Sequence, residues 1–435
     1  LASTMKTVPM NILKEVLKNE VFPALGCTEP IAVAYAASVA ANEIDDDLEN
    51  IVITVDPGVY KNGMAVTVPN TNGQRGNLIA GVLGALVKKP ELKMEILQGV
   101  QKKMIRRAAD MIRAGKATIL YDATRTDLYI DVRIKTRDDS ARAVIENGHT
   151  NLVRVEKNER TVFDAKSKGR SKTGPTYKKI LKKLRINDLV DLAAGMDQSD
   201  YQYIKRGVEM NLRAADAGSR IKKVGYYLTD LAKKGYLQDD VFTASKTLVA
   251  SASDARMAGV SLPVMSSGGS GNQGIVATLV PYTVGFHFKI PEKKILRSIA
   301  LSHLLNSYIK CFTGDLSPLC GCSIAAGVGA AVAIVYQQKG NHTGKITFAV
   351  NNLVSDLGGM LCDGAKGGCA LKVVSSADSA IRSAYMALNN HGITEAEGFV
   401  GKTPEETIRN LSKISAIGMA KVDDTMLAIM KKKTP

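Results

Sequence analysis

The stretch that decides the fold is Leu319-Cys-Gly-Cys-Ser-Ile-Ala-Ala-Gly-Val-Gly-Ala-Ala-Val-Ala-Ile-Val-Tyr336. Its apolar part begins at Ile324 and is too short, and too rich in alanine and glycine, to be a membrane span. We interpret it as a buried helix whose small side chains allow close packing. Cys320 and Cys322 open this helix, and a helix N-terminus favours thiolates. The stretch therefore predicts a helical domain with a thiol site at the start of a buried helix.

Length and composition place the chain among globular proteins. It has 435 residues, of which 45% are hydrophobic and 5% aromatic, and it contains no tryptophan. This length favours two domains, and the apolar content excludes extended disorder. No long apolar segment resembles a signal peptide or a membrane span, so we expect a cytoplasmic protein without a membrane partner.

The net charge of +16 is concentrated in the segment 166–185, which contains nine cations and no carboxylate. Such a run can bind nucleic acid. However, no aromatic platform or base-reading motif accompanies the charge. We therefore expect a solvated linker, and nucleic acid is a disfavoured partner.

The pattern of elements predicts an α+β/α protein. We expect an N-terminal helical hairpin in residues 5–48, packed on the helical domain, and an α/β domain with a mixed sheet in residues 49–165. A basic linker, 166–185, then leads to a largely helical domain, 186–435, which carries the cysteine site. The predicted strands share alternating or β-branched patterns and cover 51–56, 64–68, 118–121, 128–135, 141–146 and 152–156. The predicted helices before the linker cover 11–20, 30–44, 77–88 and 91–114.

Five of the six cysteines lie between Cys311 and Cys369. A long chain without a signal segment is not expected to carry a disulfide framework. Cys320 and Cys322, together with Cys362 and Cys369 around a glycine-rich loop, could hold an iron–sulfur cluster or a structural zinc ion. Spacing alone leaves both open. We interpret Cys311 as buried filler.

Cys27 stands apart in Gly26-Cys-Thr-Glu-Pro30, directly before a predicted helix. A thiol at that place is expected to have a lowered pKa and could act as a nucleophile or a general base. The alternative is an incidental thiol at a helix start.

Two polar loops precede helices and could hold a small anion. They are Pro69-Asn-Thr-Asn-Gly-Gln-Arg-Gly76 and Ser266-Ser-Gly-Gly-Ser-Gly-Asn-Gln-Gly274. Hydroxyl groups and free backbone N–H groups can bind a carboxylate or a phosphate. A lone glycine-rich loop is more often only a turn.

Six segments, in order along nearly the whole chain, carry a family resemblance. They are Gly26-Cys-Thr-Glu-Pro30, Val59-Tyr-Lys-Asn-Gly-Met64, Gly148-His-Thr-Asn151, the 266–274 loop, Leu316-Ser-Pro-Leu-Cys-Gly-Cys322 and Cys362-Asp-Gly-Ala-Lys-Gly-Gly-Cys369. Together they resemble the L-cysteine desulfidase family, which is related to the iron–sulfur L-serine dehydratases and their alpha-chain-like domain.

The resemblance implies a lyase, independent of pyridoxal phosphate, that converts L-cysteine to pyruvate, ammonia and hydrogen sulfide. It implies a [4Fe–4S] cluster with three cysteine ligands and one open iron that polarises the leaving group. Cys362 and Cys369 match the family pattern, and the third ligand is Cys320, with Cys322 as the alternative. The segment containing Cys27 is assigned the base that takes the Cα proton.

The matching segments and the polar loops also give the predicted substrate contacts. These residues are Thr28, Glu29, Lys61, Asn62, Asn70, Thr71, His149, Asn151, Ser266, Ser267, Gly268 and Asn272. The expected partner is a small amino acid, L-cysteine, and a homo-oligomer is compatible with the sequence. For His149, a purely structural role in its loop remains open.

Three other functions compete with this prediction. An L-serine dehydratase is the nearest, because cysteine and serine differ by one atom. A pyridoxal-phosphate lyase would perform the same chemistry, but Lys246 lacks the motif that surrounds the lysine of such enzymes. A zinc- or cluster-containing nucleic-acid-binding protein would use the basic stretch and leave Cys27 without a role.

Overall fold

The computed structural model of the protein describes residues 10–125, 127–165, 175–314 and 316–432. The first part of the basic stretch, 166–174, and Lys433 lie outside the described residues. The α-helices are α1 (Ile12–Glu20), α2 (Thr28–Asn42), α3 (Pro57–Gly63), α4 (Asn77–Val87), α5 (Lys102–Arg113), α6 (Thr176–Leu181), α7 (Ile186–Ala194), α8 (Gln198–Ser219), α9 (Val224–Lys233), α10 (Val241–Met257), α11 (Gly271–His287), α12 (Glu292–Thr313), α13 (Ala325–Lys339), α14 (Thr343–Leu357), α15 (Cys369–Leu388), α16 (Pro404–Lys413) and α17 (Val422–Lys431). The strands are β1 (Pro23–Ala24), β2 (Asn50–Val55), β3 (Ala117–Tyr121), β4 (Tyr129–Lys135), β5 (Ser140–Glu146), β6 (Leu152–Lys157), β7 (Arg160–Asp164) and β8 (Val264–Met265).

A six-stranded mixed sheet forms the first half of the fold, in the order β3-β2-β4-β5-β6-β7. Only β2 and β3 pair in parallel, and the other neighbours are antiparallel. Along β2 the side chains alternate between half-buried and buried, which is the pattern of a strand with one face on a core. The expected mixed sheet is therefore confirmed.

Helix α2 covers this sheet, and its residues 28–41 are all buried. It packs between the sheet and α4, and glycines on α4 make the contact close. A Cβ atom at Gly84 would lie 2.1 Å from the backbone oxygen of Ala34. A helix that is buried on every side needs such small neighbours, because larger side chains would separate the two backbones.

The second core surrounds α13, which is the helix expected from the opening stretch of sequence. Its residues 325–337 are all buried. Helices α11, α12, α14 and α15 pack around it. At Gly329 a Cβ atom would lie 2.6 Å from the backbone oxygen of Ser302 on α12. The prediction of a largely helical second half is thus confirmed among the described residues.

The N-terminal helices do not form the expected hairpin. The apolar face of α1 belongs to the helical core, whereas α2 belongs to the core under the sheet. Between them, β1 pairs with β8 in a short antiparallel ribbon. The chain therefore crosses from one core to the other at residues 23–27. The division into units at 49–165, 166–185 and 186–435 stays a prediction.

Two local predictions in the α/β part were wrong, and two elements were missed. Residues 64–68 form no strand, and only Thr67 makes an isolated bridge, with Arg75. The helix predicted over 91–114 is a 3-10 helix, Pro90–Gly99, followed by α5. Neither α3 nor β7 was expected.

The start of α3 shows why a helix forms directly after β2. The carboxylate of Asp56 accepts hydrogen bonds from the backbone N–H groups of Gly58 and Val59, and Pro57 occupies the first helical turn. This is the arrangement of a helix N-cap. Helix α3 therefore begins at this cap, although the sequence analysis did not predict it.

No helix among the described residues is long and apolar enough to cross a membrane.

The close approach of α4 to α2 gives a stability prediction. Gly84→Ala adds a methyl group that overlaps the backbone of Ala34, so the helices must separate. We expect the variant to lose about 1–3 kcal/mol of unfolding free energy, measured by denaturant titration. Gly359→Ala is the matched control, because a Cβ atom at Gly359 meets no atom within 4 Å. Equal midpoints for Gly84→Ala and the control would contradict this account of the packing.

Candidate functional site

A cleft lies where the two cores meet, and it is lined by residues from distant parts of the chain. Cys27, Val66 and Met257 form a small apolar cluster of their own between the cores. Ala365 and Cys369 pack against this cluster. The segment of Cys27 and the cysteine loop are therefore neighbours, although more than three hundred residues separate them.

Two cysteine segments are joined by backbone pairing. Leu319 and Leu361 form an antiparallel bridge. The N–H of Cys320 donates to the oxygen of Met360 at 2.8 Å, and the N–H of Cys362 donates to the oxygen of Pro318 at 2.7 Å. Cys320 therefore lies opposite Met360 and Cys362 opposite Pro318, so the pairing holds both cysteines close to one bridge at the wall of the cleft.

The cysteine loop also packs on α3. A Cβ atom at Gly364, where φ is +91°, would lie 2.4 Å from the backbone oxygen of Lys61. The N–H of Ala365 donates to the oxygen of Asn62 at 3.2 Å. Glycine is needed at this close approach, which links the cysteine loop to a predicted substrate-binding segment.

All four clustered cysteines, Cys320, Cys322, Cys362 and Cys369, line the cleft. A hydrogen bond with Cys322 lowers the pKa of the Cys320 thiol to about 6 and raises that of Cys322. Burial raises the pKa of Cys362 to about 11 and also raises that of Cys369. Ionisation of one of the four thiols therefore disfavours ionisation of the others, and a bound cation would offset the repulsion between the thiolates.

The cysteines at the cleft differ in their fit to a single metal ion and to a cluster. Among residues 10–125, 127–165, 175–314 and 316–432, no three His, Cys, Asp or Glu side chains are arranged to hold a metal ion. The thiolates of an iron–sulfur cluster bind separate iron atoms, so they need not converge on one point as the ligands of zinc do. Cysteines that share one wall of a cleft, on a helix start and a glycine-rich loop, fit a cluster by their chemistry.

Cys27 lies at the start of α2, as the sequence suggested, but its expected low pKa was wrong. Burial and the neighbouring carboxylate of Glu29 raise the thiol pKa well above its usual value, although the charge of Arg256 opposes the rise. The Sγ atom donates to Oε2 of Glu29 at 2.8 Å. Desolvation and a like charge thus outweigh the helix terminus.

Glu29 is the charged centre of this wall. Burial disfavours its ionised form, but the charge of His149 and hydrogen bonds from Cys27 and Asn62 outweigh burial and hold its pKa at about 2. The Nδ2 atom of Asn62 donates to Oε1 at 3.0 Å, and the hydroxyl of Thr28 donates to Oε2 at 3.1 Å. Glu29 is therefore a carboxylate that keeps the Cys27 thiol protonated.

The loop between β5 and β6 reaches the 266–274 loop. A Cβ atom at Gly269 would lie 3.4 Å from Nδ1 of His149, so these two residues touch. Both residues line the cleft, as does Asn272. His149 thus lies between Glu29 and the loop that precedes α11.

Several predicted contacts support the cleft without lining it. Asn70 donates to the backbone oxygen of Leu97, and Thr71 donates to that of Val68. Asn151 donates to the backbone oxygen of Glu146. These side chains hold their own loops, and none of the three lines the cleft.

Lys61, Ser266, Ser267 and Gly268 likewise do not line the cleft. Lys61 is buried and forms an ion pair with Asp423 of α17 at 2.6 Å. The remaining three make buried contacts within the helical core, in which Ser266 bonds the 20–22 segment, Ser267 bonds His303 and Asn306, and the Gly268 oxygen accepts from Lys310. The later part of the 266–274 loop therefore lines the cleft, and its first residues do not.

Sequence reasoning missed Arg256, Gly269, Ser270, Gln273, Lys310 and Lys372, which also line the cleft. Arg256 lies in the last turn of α10 and Lys310 lies on α12. No sequence motif marks either position. Gln273 is within the predicted loop, and its amide lies 2.6 Å from the place of a Cβ atom at Gly321. That contact could not be found from the sequence, because it joins two loops.

Comparison with known sequences identifies the family of the chain. The profile of the family described as "Serine dehydratase alpha chain" matches residues 10–428. The chain belongs to the serine dehydratase alpha-chain family. This family of iron–sulfur serine dehydratase-like proteins includes cysteine desulfidases, so membership supports a lyase that acts on a small amino acid.

Full-length relatives within this family are numerous. A UPF0597 protein of Geobacter sulfurreducens is 60% identical, covering 98% of this chain and 99% of its own. One of Elusimicrobium minutum is 54% identical over 98% and 100%, and one of Clostridium tetani is 39% identical over 96% and 98%. No solved structure matches.

Lys246 and Cys311, the other two residues considered in the sequence analysis, do not line the cleft. Lys246 lies outside the cleft lining and pairs with Asp378 at 3.2 Å. Cys311 also lies outside the lining, with its Sγ atom 3.8 Å from the backbone oxygen of Lys178.

A buried histidine next to the site gives a pH prediction. Burial lowers the pKa of His303 from 6.5 to about 3, and its Nδ1 atom is 2.9 Å from the Ser267 hydroxyl. The unfolded chain takes up a proton below pH 6.5, whereas the folded chain does not until pH 3. Stability is therefore expected to fall by roughly 1 kcal/mol per pH unit as the pH drops through this window.

Denaturant titrations from pH 7 to pH 5 measure this loss. In His303→Gln the loss should be clearly smaller, because no buried imidazole remains to be protonated on unfolding. His391→Gln removes an exposed imidazole and should keep the wild-type dependence. A pH dependence of His303→Gln identical to that of the wild type would show that His303 is protonated in the folded protein.

Proposed function

We propose that the protein is an L-cysteine desulfidase, which converts L-cysteine to pyruvate, ammonia and hydrogen sulfide. One observation carries the proposal: the Cys27–Glu29 pair and the four clustered cysteines line the same cleft. A structural staple of cysteines would have no need for a buried thiol–carboxylate pair beside it. Membership in the serine dehydratase alpha-chain family supports the reaction class.

Cys320, Cys362 and Cys369 would hold a [4Fe–4S] cluster. When bound, a cluster with one iron free of protein ligands supplies a Lewis acid that draws electrons from the leaving group. The backbone pairing at Leu319 and Leu361 supports Cys320 over Cys322 as the third ligand, because the N–H of Cys320 itself takes part in the pairing with the segment of Cys362.

The Cys27–Glu29 pair would remove the Cα proton. Transfer of the thiol proton along the 2.8 Å hydrogen bond to Glu29 leaves a thiolate. Because burial and a neighbouring carboxylate destabilise that thiolate, it is a stronger base than an exposed one. Asn62 and Thr28, which donate to the Glu29 carboxylate, hold it in place for this transfer.

Loss of the Cα proton drives the electron pair toward the Cα–Cβ bond, and the Cβ–S bond breaks with sulfide as the leaving group. The product is an enamine, which tautomerises to an imine and is hydrolysed to pyruvate and ammonium. These last steps need no side chain, so the cleft has only to exclude water until sulfide has left.

L-Serine dehydratase activity is the second candidate, and the family description favours it. The same proton removal would serve both substrates, since the difference lies only in the leaving group. Turnover of L-cysteine and L-serine under identical conditions separates the two functions.

The proposed cofactor and substrate can be tested together. Protein purified without oxygen should contain iron and acid-labile sulfide in equal amounts, and should release sulfide from L-cysteine faster than it forms pyruvate from L-serine. Cys320→Ala, Cys362→Ala and Cys369→Ala should each lose most of the iron, because a cluster with two protein ligands is labile.

Cys311→Ala is the matched control, since it removes a cysteine that does not line the cleft. It should keep iron, sulfide and turnover. Cys322→Ala should also keep the iron. Stoichiometric zinc without sulfide, persisting after anaerobic reconstitution, would overturn the proposal.

The second prediction concerns the base. Cys27→Ala should reduce turnover of L-cysteine by about a hundredfold or more, because general-base catalysis contributes about that much. Iron and sulfide content should stay at the wild-type level, since Cys27 is not among the proposed ligands. Glu29→Gln should also lower turnover, because it leaves the thiol without a proton acceptor.

Single-turnover rates and metal content, measured on the same samples, make this test decisive. Retained turnover in Cys27→Ala with an intact cluster would remove Cys27 from the mechanism. It would leave the cluster assignment untouched.

A further inference from the structure

The cleft contains a buried cation whose charge is not balanced by an ion pair. The Arg256 side chain is only 4% exposed. Its Nε atom donates to the backbone oxygen of Gly26 at 2.9 Å, and no carboxylate within the described ranges pairs with it. Buried charges are rarely left unpaired, because desolvation is costly. The guanidinium group therefore fits an anionic ligand.

The start of α11 lies at the same place. A Cβ atom at Gly271 would be 2.4 Å from Nε of Arg256, so the arginine crosses the first residue of this 17-residue helix. The Ser270 side chain makes no capping hydrogen bond to the first turn. The free N–H groups of a helix start and a guanidinium group together form a site for a carboxylate.

Buried amide oxygens without hydrogen-bond donors among the described residues lie beside Arg256 and the start of α11. Oδ1 of Asn62, Oδ1 of Asn272 and Oε1 of Gln273 are buried, and none has a hydrogen-bond donor among the residues that the structure describes. All three residues line the cleft. Buried amide oxygens normally accept a hydrogen bond, and an ammonium group offers three donors.

We propose that Arg256 and the start of α11 bind the α-carboxylate of a free amino acid, while the amide oxygens of Asn62, Asn272 and Gln273 accept from its α-ammonium group. The proposal rests on the proposed function and adds to it the residues that bind the two charged groups of the substrate. A free α-amino acid satisfies both the arginine and the amide oxygens, whereas a simple amine or a carboxylic acid satisfies only one of these two sets of groups.

The position of Arg256 also fits the chemistry of proton removal. The carboxylate carbon and Cα are bonded to each other, so the group that binds one must adjoin the base that attacks the other. The Nε atom of Arg256 donates a hydrogen bond to the backbone oxygen of Gly26, the residue directly before Cys27. Gly26 is held there by Pro69, because a Cβ atom at Gly26 would lie 2.5 Å from the proline ring.

The test uses the anaerobically purified protein and ligands that cannot react. L-Alanine carries both charges and has no leaving group, ethylamine lacks the carboxylate, and propionate lacks the ammonium group. Titration calorimetry should detect L-alanine binding, with ethylamine and propionate each at least about tenfold weaker, since ethylamine leaves Arg256 and propionate leaves the amide oxygens without a partner.

The variants test the arginine directly. Arg256→Met should weaken L-alanine binding by about a hundredfold, and Arg256→Lys should weaken it less because the charge remains. Asn272→Ala should weaken L-alanine binding while propionate binding stays unchanged. Arg220→Met, which removes an exposed arginine from the end of α8, is the matched control and should bind as the wild type does.

Two outcomes would overturn the proposal. One is a folded Arg256→Met variant, verified by circular dichroism, with wild-type affinity for L-alanine. The other, which needs no variant, is wild-type protein that binds ethylamine as tightly as L-alanine. Binding of L-alanine through Arg256 without turnover of L-cysteine or L-serine would instead reject the proposed function and keep the amino-acid site.

Discussion

The burial of α13 on every side is the constraint on which the second half of the structure depends. A helix without a polar face must be enclosed, and four neighbouring helices enclose it. Alanine and glycine at its contacts keep those neighbours close, so the helix can neither rotate nor slide without overlap. Cys320 and Cys322 do not open this helix as expected, because α13 begins at Ala325; they lie in the turn that leads into it, where the N–H of Ile324 donates to the oxygen of Cys320. The position of the cysteine wall is thus a consequence of packing, to which the bridge between Leu319 and Leu361 adds the second cysteine loop.

The opposite wall depends on the crossing of the chain between two cores. Helix α1 is anchored in the helical core and α2 under the sheet, so the short link between them must span the boundary. The ribbon of β1 and β8 ties this link to the segment that leads into α11. Cys27 and the start of α11 therefore cannot move independently. A site at such a boundary combines groups that neither core could supply alone.

The sequence predicted the elements that depend on local patterns, and missed what depends on contacts between segments. The alternation of β2, β4 and β5 and the apolar run of α13 were sufficient to find those elements. In contrast, α3 was not expected although Asp56 caps it, and Asn70 and Thr71, which were predicted substrate contacts, are used within their own loop. Arg256 has no motif, because its role depends on Gly26 and Gly271, which are distant in sequence.

The pKa of Cys27 shows the same limit for chemistry. A helix start favours a thiolate, and this local rule suggested a lowered pKa. Burial and the charge of Glu29 act in the opposite direction and prevail. Glu29 itself remains ionised because His149, from the loop after β5, and Asn62, from α3, stabilise its charge. The Cys27–Glu29 pair therefore carries one negative charge, and residues distant in sequence stabilise that charge on the carboxylate of Glu29 and not on the sulfur of Cys27. The cost of moving that charge to sulfur makes the thiolate basic, so the burial that disfavours the reactive form also gives that form its strength.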